Sequence, residues 1–321
     1  MRNIKMNRLP GALPLLLLCC SLLSSCIAED LSDCAQLRLR VVFTFDADTE
    51  AAATRQGGTH QVTLYAFNGN GVCEMAHEFE VTDLNSRTEL DVDLEAGTYD
   101  FVAWINHDKE YFDLPVFEQY PQVKPQKDVA TLYLNIPDNS VVDYELPRLL
   151  HGSASAQTLG AGNAEVTVPL TQNTNYITFT AEGLDRTADT YEFEVSDYNG
   201  AYTFGNEFDA CTPFRYIASA LFAGGRDKLE AEMTTLKLAP ERTPGFIFRD
   251  RTTGKTLYPS DPGQETNLVK LIEKAYKNEG KKVDFDRQHR FDIKLKFDAN
   301  FNATVSVNGW DVVEDDSGLR P

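Results

Sequence analysis

The sequence is poor in basic residues for its number of acidic ones. It has 30 lysines and arginines against 49 aspartates and glutamates, which gives a formal net charge of -19 at pH 7. This balance argues against nucleic acid as a partner, because the phosphates would be repelled. It favours solubility and holds the protein body away from anionic surfaces.

Histidine and cysteine are scarce as well. The five histidines are scattered singly, with no H-E-x-x-H motif, and the six cysteines contain no C-x-x-C pair. Zinc and thioredoxin-type chemistry therefore have no support. Two glycine-containing stretches, GNGVCE and GAGNAE, lack the third glycine of a phosphate-binding loop. The sequence predicts neither a metal nor a cofactor.

Long hydrophobic runs are missing apart from one near the start of the chain. Three basic residues precede the apolar run Gly11–Leu23, GALPLLLLCCSLL. A membrane-spanning helix needs about 20 apolar residues, and this run is shorter and contains a proline. The charge and length are typical of a secretion signal, so we expect residues 1–25 to be removed.

The apolar run ends at Cys26, directly after Leu23-Ser24-Ser25. This arrangement resembles the bacterial lipobox, in which the cysteine is acylated and the chain is cut just before it. We therefore predict lipidation at Cys26 and attachment of residues 26–36 as a short tether to the membrane. The alternative is a signal peptide with an incidental cysteine. Several acyl chains make a durable anchor, because each buried methylene contributes about 0.8 kcal/mol.

Removal of the signal changes both the charge and the cysteine count. Residues 1–25 contain three basic residues and no acid, so the mature chain carries 27 − 49 = −22. Once Cys26 is acylated, only Cys34, Cys73 and Cys211 remain. Three cysteines form at most one disulfide, and the sequence leaves their pairing open.

The rest of the chain shows strand patterns separated by turns. Apolar and polar residues alternate over Leu37–Asp46, which predicts a strand with one buried face. HQVTLYAF stops at the turn signal NGNG. The cleanest hairpin joins Phe291–Phe297 to ATVSV through the turn DANFN.

One amphipathic helix is predicted, in TNLVKLIEKAYKNEG. Apolar residues recur there at helical spacing, and Gly280 can end the helix. They are Leu268, Leu271, Ile272, Ala275 and Tyr276. We interpret this stripe as a face packed across a sheet.

Many short strands with Gly and Asn turns and a single helix indicate β-sandwich architecture. The 42% hydrophobic composition and the mean hydropathy of -0.34 are those of a soluble globular chain. A polar run at 171–175, TQNTN, separates two strands. We therefore predict an N-terminal β-sandwich domain over 37–172 and a C-terminal one over 173–321.

Two acidic loops are the only candidates for chemistry. The first contains His107, Asp108, Glu110 and Asp113, and the second contains Asp284, Asp286 and Asp292. Paired carboxylates could catalyse glycoside hydrolysis or hold calcium. Neither loop has the spacing of such a motif, and loops with several acids are expected by chance in a chain with 49 of them. We therefore predict that the protein is not an enzyme.

Several motifs together resemble the fimbrial anchor subunits of Bacteroidia, the FimB-like lipoproteins of type V pili. They are Cys26 in LSSC, Cys34 before CAQLRLRVVFTF, LEAGTYDFVAWIN at Leu94–Asn106, LLHG at Leu149–Gly152, VPLTQNTNYITF at Val168–Phe179, and FDIKLKFD with ATVSVNGW ending at Trp310. The resemblance covers nearly the whole mature chain. It implies two transthyretin-like β-sandwich domains in tandem and no catalysis.

The resemblance also implies a location, the cell surface with attachment to the outer membrane through acyl chains on Cys26, and a partner. The acids Glu29 and Asp30, just after Cys26, look like a minimal surface-export signal of Bacteroidia. The partner would be a fimbrial stalk subunit joined by strand exchange. Stalk subunits of this family lose their first strand to an arginine-specific protease. Cleavage at Arg55 would detach an anchor held through Cys26, so we expect Leu37–Asp46 to stay in place.

Two other functions are open at this point. One is a lipidated fimbrial tip, an accessory adhesin or a stand-alone surface lipoprotein that binds ligands through aromatics such as Tyr111, Phe112 and Tyr120. The same aromatics could simply fill the edge of a sandwich. The other is a hydrolase that uses the acidic loops.

Overall fold

The computed structural model describes residues 37–45, 58–84, 87–115, 126–160, 163–184, 190–222, 228–261 and 263–312. Backbone contacts group Leu37–Pro321 into one compact unit. The strands are β1 (Leu37–Phe45), β2 (His60–Asn68), β3 (Cys73–Val81), β4 (Arg87–Val92), β5 (Gly97–Ile105), β6 (Phe112–Asp113), β7 (Thr131–Leu134), β8 (Val141–Val142), β9 (Leu150–Leu159), β10 (Asn163–Gln172), β11 (Thr174–Glu182), β12 (Tyr191–Asp197), β13 (Ala201–Thr203), β14 (Phe214–Phe222), β15 (Lys228–Leu236), β16 (Gly245–Asp250), β17 (Thr256–Tyr258), β18 (Thr266–Asn267), β19 (Arg290–Phe297), β20 (Ala303–Val307) and β21 (Trp310–Val312). The helix α1 covers Leu268–Asn278.

The first sheet has the strand order β3-β2-β5-β9-β10-β1-β4. Strands β9 and β10 pair only where Leu150–Gly152 meet Leu170–Gln172. At this corner the sheet folds into two layers, β3-β2-β5-β9 and β10-β1-β4. Their inward side chains form one apolar cluster, which includes Val41, Leu64 and Phe101. The result is a β-sandwich, in which each strand turns every second side chain toward a core shared by the two layers.

The second sheet has the order β17-β16-β12-β14-β15-β11-β19-β20-β21, with β18 paired to β16 and β8 to β14. It also folds, because β14 and β15 pair only at their adjoining ends. Phe179 of β11 stacks on Phe193 of β12, with ring centroids 4.6 Å apart and planes at 11°. Phe246 of β16 extends the stack. These rings fill the space between the two layers.

Helix α1 lies against the last strands of the second sheet. The Asn267 side chain caps its first turn by accepting from the Lys270 N–H at 2.9 Å. Gly280 follows its last turn with φ of 66°, a conformation that glycine adopts without strain. Tyr276 packs edge-on against Trp310 of β21, with centroids 4.6 Å apart.

The predicted fold class is confirmed. The chain is mainly β, its sheets fold into sandwiches, and one helix occurs among the described residues. The proposed boundary falls between β10, which ends at Gln172, and β11, which begins at Thr174. The division into two domains at this point stays a prediction. A small third sheet, β13-β7-β6, takes strands from both sides of the boundary.

Candidate functional site

The first strand is held on both sides. Strand β1 runs parallel to β10 over Arg38–Phe45 and antiparallel to β4 over Leu37–Val42. Its inward side chains Leu39, Val41 and Phe43 are at most 2% exposed. Burial of three such side chains contributes about 4.5–9 kcal/mol before entropic costs. The strand predicted over Leu37–Asp46 is therefore present as an inner strand of the sheet over Leu37–Phe45, and Asp46 lies outside the described residues.

Ion pairs cross from β1 to its neighbours on the outer face. Arg40 lies 2.8 Å from Glu89 of β4 and 3.6 Å from Glu165 of β10. The hydrogen bond from Arg40 and its positive charge lower the pKa of Glu89. Arg38 pairs with Asp91 at 3.3 Å. All these groups are well exposed, so the pairs mainly favour the register and add little stability.

An aromatic cluster joins the first sandwich to the rest of the body. We call it the joint cluster, and it consists of Tyr65, Trp104, His151, Tyr202 and Phe204. Trp104 of β5 lies against the ring of His151, and Tyr65 of β2 lies 4.8 Å from Phe204. Every member is at most 4% exposed. Because residues from both sides of the proposed boundary share this cluster, it forms a continuous apolar joint.

The histidine of the joint cluster is neutral at pH 7. Burial lowers the pKa of His151 to about 4. Its Nε2 lies 3.0 Å from the carbonyl oxygen of Phe204, so this nitrogen carries the proton and donates it. A neutral, hydrogen-bonded imidazole suits a structural position and leaves no charge in the core.

Polar contacts at the boundary itself complete the joint. Arg148 Nε donates to Gln172 Oε1 at 2.7 Å, and Gln172 Nε2 donates to the Thr174 carbonyl at 2.8 Å. The side chains of Asn173 and Asn206 hydrogen-bond to each other. The polar run TQNTN at 171–175, which marks the predicted boundary, is therefore mostly buried and hydrogen-bonded to residues on both sides of it.

The first acidic loop is a set of turn contacts. Asp108 Oδ1 accepts from the Glu110 N–H at 2.9 Å. His107 is buried, with Nε2 2.7 Å from Thr63 Oγ1, and burial lowers its pKa. Phe112, named above as an aromatic ligand contact, is only 1% exposed. The contacts of this loop therefore stabilise the turn that follows β5.

The second acidic loop has the same character. Asp284 Oδ1 accepts from the Asp286 N–H at 3.1 Å, and Asp286 pairs with Lys237 at 2.6 Å. The Asp292 N–H donates to Asn308 Oδ1. No group of three or more metal-ligating side chains occurs in the part of the chain that the structure describes.

The predicted covalent site lies outside the described residues. This is the case for Cys26, Glu29, Asp30 and Cys34, as well as for Arg55 and Tyr120. The other two cysteines are described: Cys73 donates to the Met75 carbonyl, and Cys211 to that of Thr212. Across the described ranges, no helix is long and apolar enough to span a membrane.

Sequence reasoning missed a buried ion pair near the joint. Arg242 lies 3.0 Å from Asp197, and their side chains are 7% and 1% exposed. The Arg242 guanidinium also lies 3.6 Å from the ring centroid of Tyr198 and 4.7 Å from that of Phe208. Asp197 and Arg242 are 45 residues apart in the sequence, so no local sequence pattern could indicate that they pair.

Comparison with known proteins gives four relevant similarities. A family model, "Fimbrillin-A associated anchor proteins Mfa1 and Mfa2", matches residues 31–316. The minor fimbrium anchoring subunit Mfa2 of Porphyromonas gingivalis strain ATCC 33277 is 24% identical over 276 residues, which cover 81% of each chain. The solved structure of the fimbrial anchor protein Mfa2 from the same species has a TM-score of 0.67 at 18% identity, with 87% of this chain and 99% of that chain covered.

A second solved structure shows the same fold. It is described as a candidate polysaccharide-binding protein from Bacteroides thetaiotaomicron, and it has a TM-score of 0.70 at 21% identity, with 87% of this chain and 99% of that one covered. At such identities the two structures establish the fold alone. The family match, in contrast, extends over most of the sequence and includes β1, the joint cluster and α1. The chain therefore belongs to the family of fimbrillin-A associated anchor proteins Mfa1 and Mfa2.

Proposed function

We propose that this protein is the lipid-anchored base of a cell-surface fimbria and attaches the stalk to the outer membrane. Membership of the anchor family supports the fimbrial role. The base position is carried by one observation, the lipobox-like sequence that ends at Cys26 and precedes the first strand by only a short tether. The role is structural and non-catalytic.

The tether connects the membrane to the folded body. Acyl chains on Cys26 insert into the bilayer, and residues 27–36 lead directly to β1, which pairs with β4 and β10. Retention of β1 keeps this connection intact. A mature N-terminus at Gln56, found by mass spectrometry of the surface protein, would contradict it.

Lipidation is tested by radioactive palmitate labelling. The variant Cys26→Ala is expected to lose the label and to leave the membrane fraction. Cys34→Ala is the matched control, because it removes a cysteine of the same segment without touching the lipobox. Equal labelling of Cys26→Ala and the parent protein would refute lipidation at this position.

The position in the fimbria is tested by deletion of the gene. Loss of an anchor that also limits fibre length is expected to give abnormally long or shed fibres in electron micrographs. Normal attached fibres with lost adhesion would instead identify a tip or accessory adhesin. Release of sugars or peptides by the purified protein would favour an enzyme.

Surface display is a separate part of the proposal. The acids Glu29 and Asp30 lie three and four residues after Cys26, close to where a surface-export signal would be. Their replacement by alanine is expected to leave the lipoprotein in the inner leaflet, where added protease cannot reach it in intact cells. Asp33→Ala provides the control, and equal digestion of all three proteins would count against the signal.

A further inference from the structure

Helix α1 turns a row of lysines away from the sheet. Lys270, Lys274 and Lys277 recur at intervals of four and three residues, so they lie within about 60° of one another around the helix axis. The buried residues of the helix occupy the opposite side. Lys281 and Lys282 follow just after the helix, and both are exposed. We call these five residues the lysine face.

The lysine face is a positive region on an acidic protein. Residues 270–282 contain five lysines and two glutamates, which gives 5 − 2 = +3, whereas the mature chain carries 27 − 49 = −22. Exposed charges are screened beyond about 8 Å at physiological ionic strength. A surface in contact with these lysines therefore responds to them and not to the distant acids, so the net charge of the chain does not prevent this face from binding an anionic partner.

Acids neutralise many cations of the protein, but they do not neutralise the lysine face. Lys109 pairs with Glu78 at 3.8 Å, and Lys294 pairs with Glu182 at 2.7 Å. Within the ranges that the structure describes, none of the five lysines of this face forms an ion pair. Their charge is therefore available to an external partner.

The position of these lysines does not serve the helix itself. The first turn of α1 contains no acidic residue, and Lys270 lies there, at the positive end of the helix dipole. Lys270 and Lys274 also repel each other, because residues four apart are neighbours on a helix surface. Only Lys277, in the last turn, favours the dipole. Helix stability alone therefore does not account for the row.

An aromatic side chain borders the lysine face. Trp310 of β21 is partly exposed, and Lys281 Nζ lies 4.3 Å from its ring centroid. Tryptophan is enriched where proteins meet the membrane interface, and lysines beside apolar side chains are typical of surfaces that bind anionic lipids. The combination favours a lipid surface over a soluble anion.

The tether enters the body at the end that is remote from α1. Strand β1 runs parallel to β10 from Arg38, opposite Asn163, to Phe45, opposite Leu170 and close to the proposed boundary. Residues 27–36 span at most about 36 Å when fully extended. A body that stood upright on the start of β1 would hold α1 away from the membrane, whereas a body that lies along the bilayer brings both to it.

We propose that the lysine face docks on the phosphate groups of anionic lipids in the membrane that holds Cys26, so that the folded body lies along the bilayer. Each lysine near an anionic surface adds about fivefold to the affinity. The tether keeps the face close to the lipids, and this high local concentration makes a weak contact effective. The inference rests on the proposed function, from which it takes the membrane attachment.

Vesicle binding tests the lysine face without the lipid anchor. The mature chain with Cys26→Ala is sedimented with vesicles of phosphatidylcholine alone, or with about 30 mol% phosphatidylglycerol added, at low ionic strength. Binding is expected only to the anionic vesicles, and it should weaken as the salt concentration is raised to about 0.15 M. Equal binding to the two kinds of vesicle, or binding to neither, would overturn the proposal.

Charge reversal identifies the residues that bind. The test variant replaces three members of the lysine face: Lys270→Glu, Lys274→Glu and Lys277→Glu. The control variant makes the same change of net charge at lysines elsewhere on the surface: Lys109→Glu, Lys255→Glu and Lys296→Glu. The test variant is expected to bind anionic vesicles about a hundredfold more weakly than the control. Equal affinities of two variants that both fold, as verified by thermal melts, would refute the role of this face.

A crosslink tests the contact in the lipidated protein, and it decides the question if the test variant does not fold. The photo-crosslinking amino acid p-benzoylphenylalanine is placed at position 310, beside the lysine face, or at position 301, where an exposed phenylalanine lies in another turn. After irradiation of intact cells, mass spectrometry is expected to find lipid adducts mainly at position 310. Equal lipid yields at both positions, or adducts at 310 only with protein or glycan, would exclude docking on lipid.

The outcomes separate this inference from the proposed function. If Cys26 is not lipidated and the anionic vesicles still bind through the lysine face, the anchor role fails and the lipid-binding surface remains. If Cys26 is lipidated and the two charge variants bind vesicles equally, the anchor role stands and the docking of α1 is excluded.

Discussion

The indole of Trp104 packs edge-on against the imidazole of His151, with ring centroids 4.7 Å apart and planes at 63°. The two residues lie on the adjacent strands β5 and β9, directly opposite each other. Phe204, from beyond the proposed boundary, completes the contact. A single large side chain thus connects the first sandwich to the structure that follows it.

Truncation of the Trp104 side chain should lower the stability of the whole folded protein. Trp104→Ala is expected to lower the free energy of unfolding by about 3–5 kcal/mol, because it leaves a cavity in a fully buried cluster. Urea denaturation measures the effect. Trp310→Ala is the control, since Trp310 is only partly buried. Equal losses of unfolding free energy for the two variants would show that the joint cluster stabilises the protein no more than a partly buried tryptophan does.

The buried histidines should make stability depend on pH. Burial lowers the pKa of His151 and His289 to about 4, below the ordinary value of 6.5. Above pH 6.5 neither the folded nor the unfolded state binds these protons, so the full stability is present. As the pH falls from 6.5 to 4, only the unfolded state takes them up. Stability should therefore fall over this window, by at most about 3 kcal/mol per histidine.

Substitution of the two histidines checks the origin of this dependence. The double variant His151→Gln, His289→Gln is expected to show a flatter curve of unfolding free energy against pH between 6.5 and 4. His77→Gln, on the edge strand β3, provides the control for loss of an imidazole. An unchanged slope in the double variant would assign the pH dependence to other groups.

Loss of the buried ion pair between Arg242 and Asp197 should lower the free energy of unfolding. Arg242→Met leaves the carboxylate of Asp197 in the interior without its cation, and we expect a loss of about 3–5 kcal/mol. Arg38→Met breaks the exposed pair with Asp91, where about 0–1 kcal/mol is expected. Chemical denaturation of both variants gives the comparison. A loss below 1 kcal/mol for Arg242→Met would mean that water or another group compensates Asp197.

Gly152 lies at the corner of the first sandwich, where the packing should leave no room for a larger residue. A Cβ atom on Gly152 would lie 2.6 Å from side-chain carbons of both Val168 and Leu170. Gly152→Ala is therefore expected to lower the melting temperature, with a loss of about 1–3 kcal/mol from overpacking. At Gly160 an added Cβ meets nothing within 4 Å. Gly160→Ala should consequently change stability by less than about 0.5 kcal/mol, and similar effects at both positions would contradict the packing argument.

The strands with strict alternation were predictable from the sequence. Leu37–Phe45 and Arg290–Phe297 follow their patterns closely, and α1 was indicated by its apolar stripe and its capping residues. Strands β9 and β14 gave weaker signals. The first, LHGSASAQTL, is rich in small residues, and its conformation is determined by pairing with β5. Local propensity is overridden there by tertiary context.

The functional features also differ in whether the sequence alone could predict them. Lipidation at Cys26 is suggested by a local pattern of charge, apolar length and small residues, so sequence alone can indicate it. The joint cluster and the hydrogen bond from the Leu236 N–H to the Tyr216 hydroxyl depend on residues far apart in the chain, as the contact of Trp104 with Phe204 does. No local pattern contains these pairs. Their discovery required the register of the strands.

The pairing of β1 on both sides has a mechanical consequence. A pull applied at Leu37 along the strand axis loads the hydrogen bonds to β10 and β4 in shear, so that many must break together. A pull across the strand would instead unzip them one after another. Attachment through Cys26, as proposed above, would apply tension at Leu37, and β1 would share this tension between its two neighbouring strands, β4 and β10.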